Sequence, residues 1–377
     1  MTPGEQELAE DEAPRITKYQ QIYSDLSRGI LKGKHSRGAK LPTQAELVKH
    51  YGASRPTVAR ALKRLEVQGL VRCLAGSGTY VVGLDPRVTP ELGILIPEIG
   101  QIEFFEAVCS GMADSNRGRA KLLWGTPGLV GAMNEQKEKI AMRLCRHFIA
   151  LRVQGVFYAP MEFSPMRHEV NEEIVSELSA AGIGIVLLDR CYKPYPHRSS
   201  FDRIGIDNCR AGFVITEHLI QLGARRIAFI GLPNSAQTVD ERIAGYLQAL
   251  NHYGCEMAAR FVVLADPGET AVVRDLMSNA APEAIVCGND MTAAKLMRSL
   301  NELGLAVPRD VWITGIGDVQ YASLLNPPLT TIRQPSGALG EAAVNAMLER
   351  LQHPEMPARD ILLDFELVVR QSCGSKA

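Results

Sequence analysis

The sequence predicts two domains of different class: a small N-terminal domain of three helices and a β-hairpin, followed by a larger α/β domain whose parallel sheets are covered by helices on both faces. Three observations predict this division. The chain has 377 residues, more than one hydrophobic core usually holds. Its N-terminal part combines helical spacing of apolar residues with two short strands around glycines. The remainder alternates apolar runs of strand length with helical stretches, which is the pattern of parallel sheets.

The composition is that of a globular protein in water, with 46% hydrophobic and 22% charged residues. No run of about eighteen apolar residues is present, so we expect no membrane span and no membrane partner. The sequence starts with MTPGEQELAEDEAP, which is acidic and lacks the basic start and apolar core of a secretory signal. We therefore expect residues 1–14 to form a disordered tail and the protein to be cytoplasmic.

The sequence contains no recognisable catalytic or metal-binding motif. Its eight cysteines are scattered singly without CxxC spacing, so we expect neither a disulfide nor a zinc site. Nucleophile-elbow, HExxH and P-loop motifs are also missing. A fused aminotransferase-like domain would need a longer chain and a lysine placed for a Schiff base. We therefore predict that the protein is not an enzyme and carries no cofactor.

The positive charge of the chain is concentrated near its N-terminus. From Arg15 to Gly83 the sequence has thirteen Lys and Arg against three acids, a net charge of +10, whereas the whole chain carries −1. The rest of the chain is therefore at −11, with five of those acids in the first fourteen residues. A localised basic patch of this kind indicates a polyanionic partner such as nucleic acid.

Capping residues define the helices of the basic segment. Apolar residues at helical spacing between positions 19 and 30 predict a first helix that ends before Gly33. Thr43 and Glu46 have capping-box spacing and predict the start of a second helix. Ser54 caps a third helix, which has Pro56 in its first turn. Short strands on both sides of Gly76-Ser77-Gly78 then predict a hairpin, and the whole is a winged helix-turn-helix.

The third helix is the predicted recognition element. At about 100° per residue, Thr57, Arg60 and Arg64 fall opposite its buried stripe and are expected to face the bound molecule. A helix fits the major groove of DNA, where an arginine can bond guanine O6 and N7 together. Arg55 and Arg60 are therefore the best candidates for reading bases.

The segment LPTQAELVKHYGASRPTVARALKRLEVQGLV, followed by GSGTYVV, resembles the GntR family of bacterial regulators over nearly all of residues 17 to 82. The resemblance implies double-stranded operator DNA as the partner. It also implies DNA contacts at these positions: Lys18, Thr43, Gln44, Ser54, Arg55, Thr57, Arg60, Lys63, Gly76 and Ser77. The chain departs from the family pattern at Ala45, where members often have arginine, and at Cys73-Leu74, which replace a basic pair before the wing.

Residues 84–90 are polar, contain two prolines and predict a semi-rigid linker. The apolar runs that follow, such as IGIVLLD and RRIAFIG, predict parallel strands, and such sheets bind ligands at the carboxyl ends of their strands. The polar and aromatic residues near these ends are Phe104, Phe105, Asp189, Arg190, Arg242, Asn289, Asp290 and Asp318. Aromatic rings together with carboxylates, amides and guanidiniums suit a polyhydroxylated ring. Asp290 either contacts the ligand or only caps the next helix.

Ordered motifs in residues 91 to 375, among them IVLLDR, ERIAGYLQAL, CGND and PPLTTIRQP, resemble the effector domain of the LacI and GalR regulators, which is itself similar to type I periplasmic sugar-binding proteins. The resemblance implies that residues 91–377 form two lobes. Lobe one is expected to comprise residues 91–203 and 335–355 and lobe two residues 204–331 and 358–377, with crossovers near 200–205, 331–335 and 354–360.

The same resemblance implies roles for individual residues. The positions of Asp189, Arg242 and Asn289 contact ligand hydroxyls, and Gln334 lies near the hinge. Gly317 stands where the family motif has an aspartate, so one common ligand carboxylate is absent.

These observations predict a sequence-specific DNA-binding transcriptional regulator, similar to the arabinose-repressor architecture. We expect a repressor of carbohydrate-utilisation genes that a sugar releases from its operator. A homodimer is expected, because one winged helix buries little DNA surface and a palindromic operator needs two-fold symmetry. Two alternatives stay open: the same fold could sense a nucleoside or purine, or the ligand could act as a corepressor.

Overall fold

The computed structural model describes residues 17–31, 34–35, 38–67, 70–74, 76–81, 89–97, 103–125 and 136–375. The chain forms two compact units, with the boundary between Val88 and Thr89. The acidic tail, Gly33 and residues 84–88 of the predicted linker lie outside the described residues. In the described part of the chain, no helix is long and apolar enough to span a membrane. That part also contains no group of three or more His, Cys, Asp or Glu side chains that could hold a metal ion.

The N-terminal domain has the predicted order of three helices and a hairpin. Its elements are α1 (Lys18–Leu31), α2 (Gln44–Tyr51), α3 (Arg55–Val67), β1 (Val71–Leu74) and β2 (Gly78–Val81). The two strands are antiparallel. The predicted capping box is present, because the Thr43 side chain accepts from the Glu46 N–H while the Glu46 side chain accepts from the Thr43 N–H. Ile22, Val58 and Leu65 are fully buried and form the centre of the core.

The larger domain contains two six-stranded sheets, each flanked by helices, which confirms the predicted α/β class. Lobe one is built on the sheet with strand order β13-β7-β6-β5-β3-β4 and lobe two on the sheet with order β14-β12-β11-β10-β8-β9. The strands of lobe one are β3 (Glu91–Leu95), β4 (Lys121–Trp124), β5 (Gly155–Tyr158), β6 (Gly184–Leu188), β7 (Asp202–Ile206) and β13 (Asp360–Leu363). The strands of lobe two are β8 (Ile227–Gly231), β9 (Val262–Leu264), β10 (Ala284–Cys287), β11 (Trp312–Gly317), β12 (Thr330–Arg333) and β14 (Glu366–Val368).

All strand pairs in these two sheets are parallel except the antiparallel pair of β12 and β14. The helices of the domain are α4 (Glu103–Asn116), α5 (Lys137–Leu151), α6 (Arg167–Ala180), α7 (Asn208–Gln221), α8 (Gln237–His252), α9 (Thr270–Asn279), α10 (Asp290–Glu302) and α11 (Ser336–Gln352). Helices α4 and α11 pack together on one face of the lobe-one sheet. Parallel strands place their carboxyl ends at one edge, which is where the candidate ligand residues were expected.

The chain crosses between the lobes after β7, between β12 and α11, and between β13 and β14. The first and third crossovers lie later in the chain than predicted. Strand β7 pairs with β6, and β13 pairs with β7, so residues 204–206 and 360–363 belong to lobe one rather than lobe two. Strands β7 and β13 are far apart in sequence, so their pairing leaves no trace in the local periodicity of the chain.

Candidate functional site

Helix α3 presents an exposed basic surface in the N-terminal domain. Ser54 caps the helix: its hydroxyl oxygen lies 2.7 Å from the Thr57 hydroxyl oxygen and accepts a bond from the Thr57 N–H at 3.4 Å. Arg55 and Arg60 are both exposed. The guanidinium of Arg60 lies 4.6 Å from the centre of the Tyr19 ring, so α1 supports this side chain. Arg55 has no ion pair within the described residues.

Arg64 does not face outward as predicted. Its guanidinium lies 4.4 Å from the Tyr23 ring and donates a hydrogen bond of 3.2 Å to the Tyr19 hydroxyl. Arg64 lies one turn beyond Arg60, where α1 packs against α3, so the side chain is half-buried between the two helices. Arg64 therefore joins α3 to α1. Fewer side chains of α3 are exposed than helical periodicity predicts.

The remaining candidate DNA contacts are distributed over three other places in the domain. Lys18 and Gln44 are exposed at the first positions of α1 and α2, and Thr43 belongs to the capping box. Gly76 and Ser77 form the exposed tip of the hairpin, where Gly76 has a positive φ of 74° and the Ser77 and Tyr80 hydroxyl oxygens are 2.8 Å apart. All ten predicted positions are exposed apart from Thr57, which is half-buried.

In the larger domain, Asp189 lies directly after β6 and has the left-handed φ of 66°. Its backbone N–H donates a 2.6 Å hydrogen bond to the carbonyl of Ile204, which fixes this turn against β7. The Oδ1 atom is buried and has no hydrogen-bond partner. Burial raises the pKa of Asp189, and the nearby guanidiniums of Arg190 and Arg242 oppose that rise. A strained backbone and an unsatisfied acceptor at one residue are typical of a binding site.

Arg190 and Phe105 form a packed pair beside Asp189. Arg190 is almost fully buried and forms an ion pair with Glu162. Its guanidinium lies 5.1 Å from the centre of the Phe105 ring. Phe105 is itself buried in the core of lobe one, and the half-buried Phe104 ring meets it edge-on at 5.1 Å. The Phe105 ring therefore supports the Arg190 guanidinium, and Phe104 packs against Phe105. Of the two rings, only that of Phe104 stays partly exposed.

Arg242 extends from α8 of lobe two and is also buried. Its Nε donates to Asn208 Oδ1 at 2.8 Å, and its Nη1 donates to the Gly288 carbonyl at 2.6 Å. Burial lowers the pKa of Arg242, and the carboxylate of Asp189 opposes that change more than any other group. The opposite charges of Asp189 in lobe one and Arg242 in lobe two therefore attract each other between the lobes.

Asn289 and Asp290 have different roles at the start of α10. Asn289 is the N-cap, because its Oδ1 accepts bonds from the N–H and hydroxyl of Thr292 at 2.8 and 2.9 Å. Asp290 is buried, and its two oxygens accept from the Thr331 hydroxyl at 2.6 Å and the Val319 N–H at 3.1 Å. Burial raises the pKa of Asp290 to about 6. The capping alternative considered for Asp290 is wrong: its carboxylate ties α10 to β12 and to the loop after β11.

Asp318 and Gln334 lie at the strand ends of lobe two. The carboxylate of Asp318 pairs with Arg333 at 2.6 Å and with Arg370 at 2.7 Å. Gln334 follows β12 at the middle crossover, and its Oε1 is buried without a hydrogen-bond partner. At Gly317, φ is 147°, and an added Cβ would lie 3.2 Å from Asp290 Oδ2, so glycine fits the conformation at this position.

Two buried residues of this region were not predicted from the sequence. Glu162 lies four residues after β5 and pairs with Arg190. Asn208, the first residue of α7, orients Arg242. Glu162 follows the end of a buried strand by four residues, so a search a few residues beyond each strand end would have included it. No local pattern distinguishes Asn208 from an ordinary residue at a helix start.

Comparison with known proteins gives two family matches. Residues 18–81 match the bacterial regulatory proteins of the gntR family, and residues 216–373 match the periplasmic binding protein-like domain. The arabinose metabolism transcriptional repressor of Geobacillus stearothermophilus is 27% identical over 369 residues, which covers 95% of this chain and 98% of that protein. The ribose operon repressor of Escherichia coli K12 is 28% identical over 275 residues, covering 71% of this chain and 78% of that repressor.

A solved structure extends the similarity to the fold of nearly the whole chain. The complex of the transcriptional regulator CelR with cellobiose has a TM-score of 0.63 at 23% identity and covers 95% of this chain and 100% of that one. The similarity therefore extends over both domains.

Proposed function

We propose that the chain is a transcriptional regulator with a GntR-type DNA-binding domain and a periplasmic-binding-protein-like effector domain similar to that of the LacI regulators, and that it is a repressor released from its operator by a sugar. The sugar is proposed to bind between the two lobes of the effector domain, near Asp189 and Arg242. It places the operator against the exposed face of α3 in the N-terminal domain.

The ligand proposal rests on Asp189, whose Oδ1 is buried without a hydrogen-bond partner and whose carboxylate interacts electrostatically with the Arg242 guanidinium of the other lobe. A buried carboxylate oxygen without a donor is destabilising in the free protein, so a ligand hydroxyl that donates to it gains affinity. Phe104, Arg190 and Asn289 lie at neighbouring strand ends or helix starts and are proposed as further contacts, together with Gln334, whose Oε1 also lacks a partner. The arabinose and ribose repressors among the relatives support a sugar as the ligand.

Thermal-shift titration with L-arabinose, D-ribose, adenosine and hypoxanthine tests the ligand class. A compound that binds only the folded protein raises the melting temperature in proportion to the logarithm of its concentration. We expect a shift with at least one of the two sugars and none with adenosine or hypoxanthine. Asp189→Asn should lose the shift, while Asp207→Asn, at the exposed N-cap of α7, serves as the matched control. A shift with hypoxanthine alone would favour the purine alternative.

Sugar binding is proposed to act on DNA through closure of the lobes. A ligand that touches both lobes binds the closed arrangement more tightly and shifts the population toward it. Closure in a dimer changes the spacing of the two DNA-binding domains, whereas the operator half-sites have a fixed spacing. Gel-shift titration with and without the active sugar measures the sign. Weaker operator binding with sugar supports release, and tighter binding would make the sugar a corepressor.

The operator contacts are proposed from the exposed surface of the N-terminal domain. Arg55 and Arg60 are assigned to base edges in the major groove, because they are exposed on α3. The remaining positions are proposed to bind phosphates: Lys18, Thr43, Gln44, Ser54, Thr57, Lys63, Gly76 and Ser77. Backbone amides at the helix starts and the hairpin tip can hold phosphate oxygens as well as lysine can.

We propose that the regulator acts in the cytoplasm as a homodimer, with boundaries at residues 15–83 for the DNA-binding domain, 84–90 for the linker and 91–377 for the effector domain. Two-fold symmetry would match a palindromic operator. Light scattering at micromolar concentration tests the dimer, and a monomer both with and without operator DNA would contradict it.

A further inference from the structure

The two lobes are joined by a seam of hydrogen bonds at one side of the cleft. The loop after β5 supplies the lobe-one half, and the turn at residues 234–236 supplies the lobe-two half. The Phe163 N–H donates to the Asn234 carbonyl at 2.7 Å, and Arg167 Nη1 donates to Asn234 Oδ1 at 2.9 Å. The Ala236 N–H donates to Glu162 Oε2 at 3.0 Å. These bonds require the lobes to be close together, so they belong to a closed arrangement.

Glu162 supplies a cap that α8 cannot provide for itself. The N-cap of α8 is Ala236, which has no side chain to bond the first turn. In a capping box, a glutamate at the third helical position accepts from the N-cap N–H, but α8 has Val239 there. Glu162 makes that same bond from the other lobe, and its negative charge is favourable at the positive end of the helix.

The second oxygen of Glu162 connects this cap to the proposed ligand site. It pairs with Arg190, both side chains being at least nine-tenths buried. Arg190 is the residue after Asp189 and lies against Phe105. A single carboxylate thus contacts the strand end of β6 on one side and the first turn of α8, the helix that carries Arg242, on the other.

Backbone strain is present at the same seam. Phe163 and Asn234 both have left-handed φ values, 58° and 56°, and they face each other through the bond from the Phe163 N–H. Such conformations persist where surrounding contacts hold them, and they are common at segments that switch. The two left-handed residues therefore lie where the lobes contact each other.

We propose that Glu162 is a positioning residue that couples occupation of the cleft to closure of the two lobes. Its carboxylate orients Arg190 beside the ligand within lobe one and caps α8 across the seam, so one side chain links the ligand site to the contact between the lobes. The coupling to a ligand rests on the proposed function, whereas the seam itself is a property of the protein without sugar.

Hydrogen exchange of the full-length protein without sugar tests the seam. Glu162→Ala should speed exchange in residues 234–237 by about tenfold or more, because the Ala236 N–H loses a charged acceptor. Strand β8, just before this turn, should exchange as in the parent. Glu169→Ala removes an exposed acid from α6 and is the matched control, with no change expected. Equal exchange in the parent and Glu162→Ala would overturn the proposal, as would faster exchange throughout the effector domain.

Glu162→Gln separates the two contacts. The amide oxygen can still accept from the Ala236 N–H, but the charge opposite Arg190 is gone. We expect nearly parental exchange at the seam together with about tenfold weaker binding of L-arabinose or D-ribose by titration calorimetry. Parental affinity in this variant would refute the coupling to Arg190. If the parent binds neither sugar, the proposed ligand class fails, while the exchange experiment still decides whether the seam exists.

Discussion

In the N-terminal domain, Arg55 and Arg60 lie exposed on α3, whereas in the effector domain Arg190 and Arg242 are buried and held by specific acceptors. Exposed arginines stay hydrated and mobile, and they can exchange counterions for DNA phosphates or base edges when the two surfaces meet. Buried arginine side chains lose this mobility when the protein folds. Their geometry is already set when a small ligand arrives, which favours discrimination between closely similar hydroxyl arrangements.

This difference predicts how each region responds to mutation. Removing an exposed arginine deletes interactions made mainly in the complex, so the stability of the free protein should change little. Removing a buried arginine leaves a carboxylate or carbonyl without its partner inside the protein, so stability and binding should fall together. Substitutions of exposed and buried arginines in the two domains therefore test this difference.

The largest effect is expected at Arg242. Arg242→Ala leaves Asn208 and the Gly288 carbonyl without a donor and removes one of the guanidiniums that attract the Asp189 carboxylate, so the free energy of unfolding should fall by about 3 kcal/mol. Ligand binding should be lost while the folded protein keeps parental operator affinity, the behaviour of a super-repressor. Urea denaturation and gel shifts measure the two effects. Arg274→Ala, at an exposed position of α9, is the matched control. Release of DNA at the parental sugar concentration would show that Arg242 is outside the ligand site.

Burial of charge also predicts a pH effect in lobe two. Because the folded-state pKa of Asp290 is raised to about 6, the folded protein holds this proton more tightly than the unfolded chain does. Its contribution to stability is full below about pH 4, declines as the pH rises and is lost above about pH 6. Asp290→Asn does not titrate. From pH 4 to pH 7, the unfolding free energy of the parent should therefore fall by about 2 to 3 kcal/mol relative to that of the variant. A constant difference would mean that folding does not shift the pKa of Asp290.

An exposed arginine should behave in the opposite way. Arg60→Ala should weaken specific operator binding by about 1 to 3 kcal/mol and relax preference at one base, while loss of the Tyr19 contact should lower the free energy of unfolding by no more than about 1 kcal/mol. Gel-shift titration against operators altered one base pair at a time gives both quantities. Arg274→Ala again controls for the loss of one positive charge. An equal loss of affinity on every sequence would assign Arg60 to phosphates, and no loss would remove it from the interface.

The sequence predicted features that depend on a few neighbouring residues and missed those that depend on packing between distant segments. The capping box of Thr43 and Glu46 is confirmed, because both bonds lie within one helical turn. The strand-end rule likewise placed Asp189 directly after a buried strand. The α/β class of the larger domain was predictable because strand and helix periodicities are local properties of the chain.

The roles of Arg64 and Glu162 depend on contacts with distant segments, which local sequence patterns do not predict. Periodicity shows which side of a helix is polar, but α1 covers part of that side and turns Arg64 inward. Glu162 acquires its role from a helix 75 residues later, and no spacing rule connects them. Buried polar groups are paired by the tertiary fold, so the sequence shows that they are present without showing their partners.

The smallest effect is expected at Lys63, whose charge is exposed and lies 3.0 Å from Glu66. Surface ion pairs contribute little, and Glu66 keeps its 2.9 Å bond from the Cys73 N–H, so Lys63→Ala should change the free energy of unfolding by less than about 0.5 kcal/mol. If Lys63 binds a phosphate, operator affinity should fall by a similar factor on every sequence, and the slope of log affinity against log salt should become shallower by about one. Lys63→Arg keeps the charge and should keep the slope. An unchanged slope in Lys63→Ala would show that Lys63 stays paired with Glu66 in the complex. Exposure alone would then not make a lysine available to bind a phosphate.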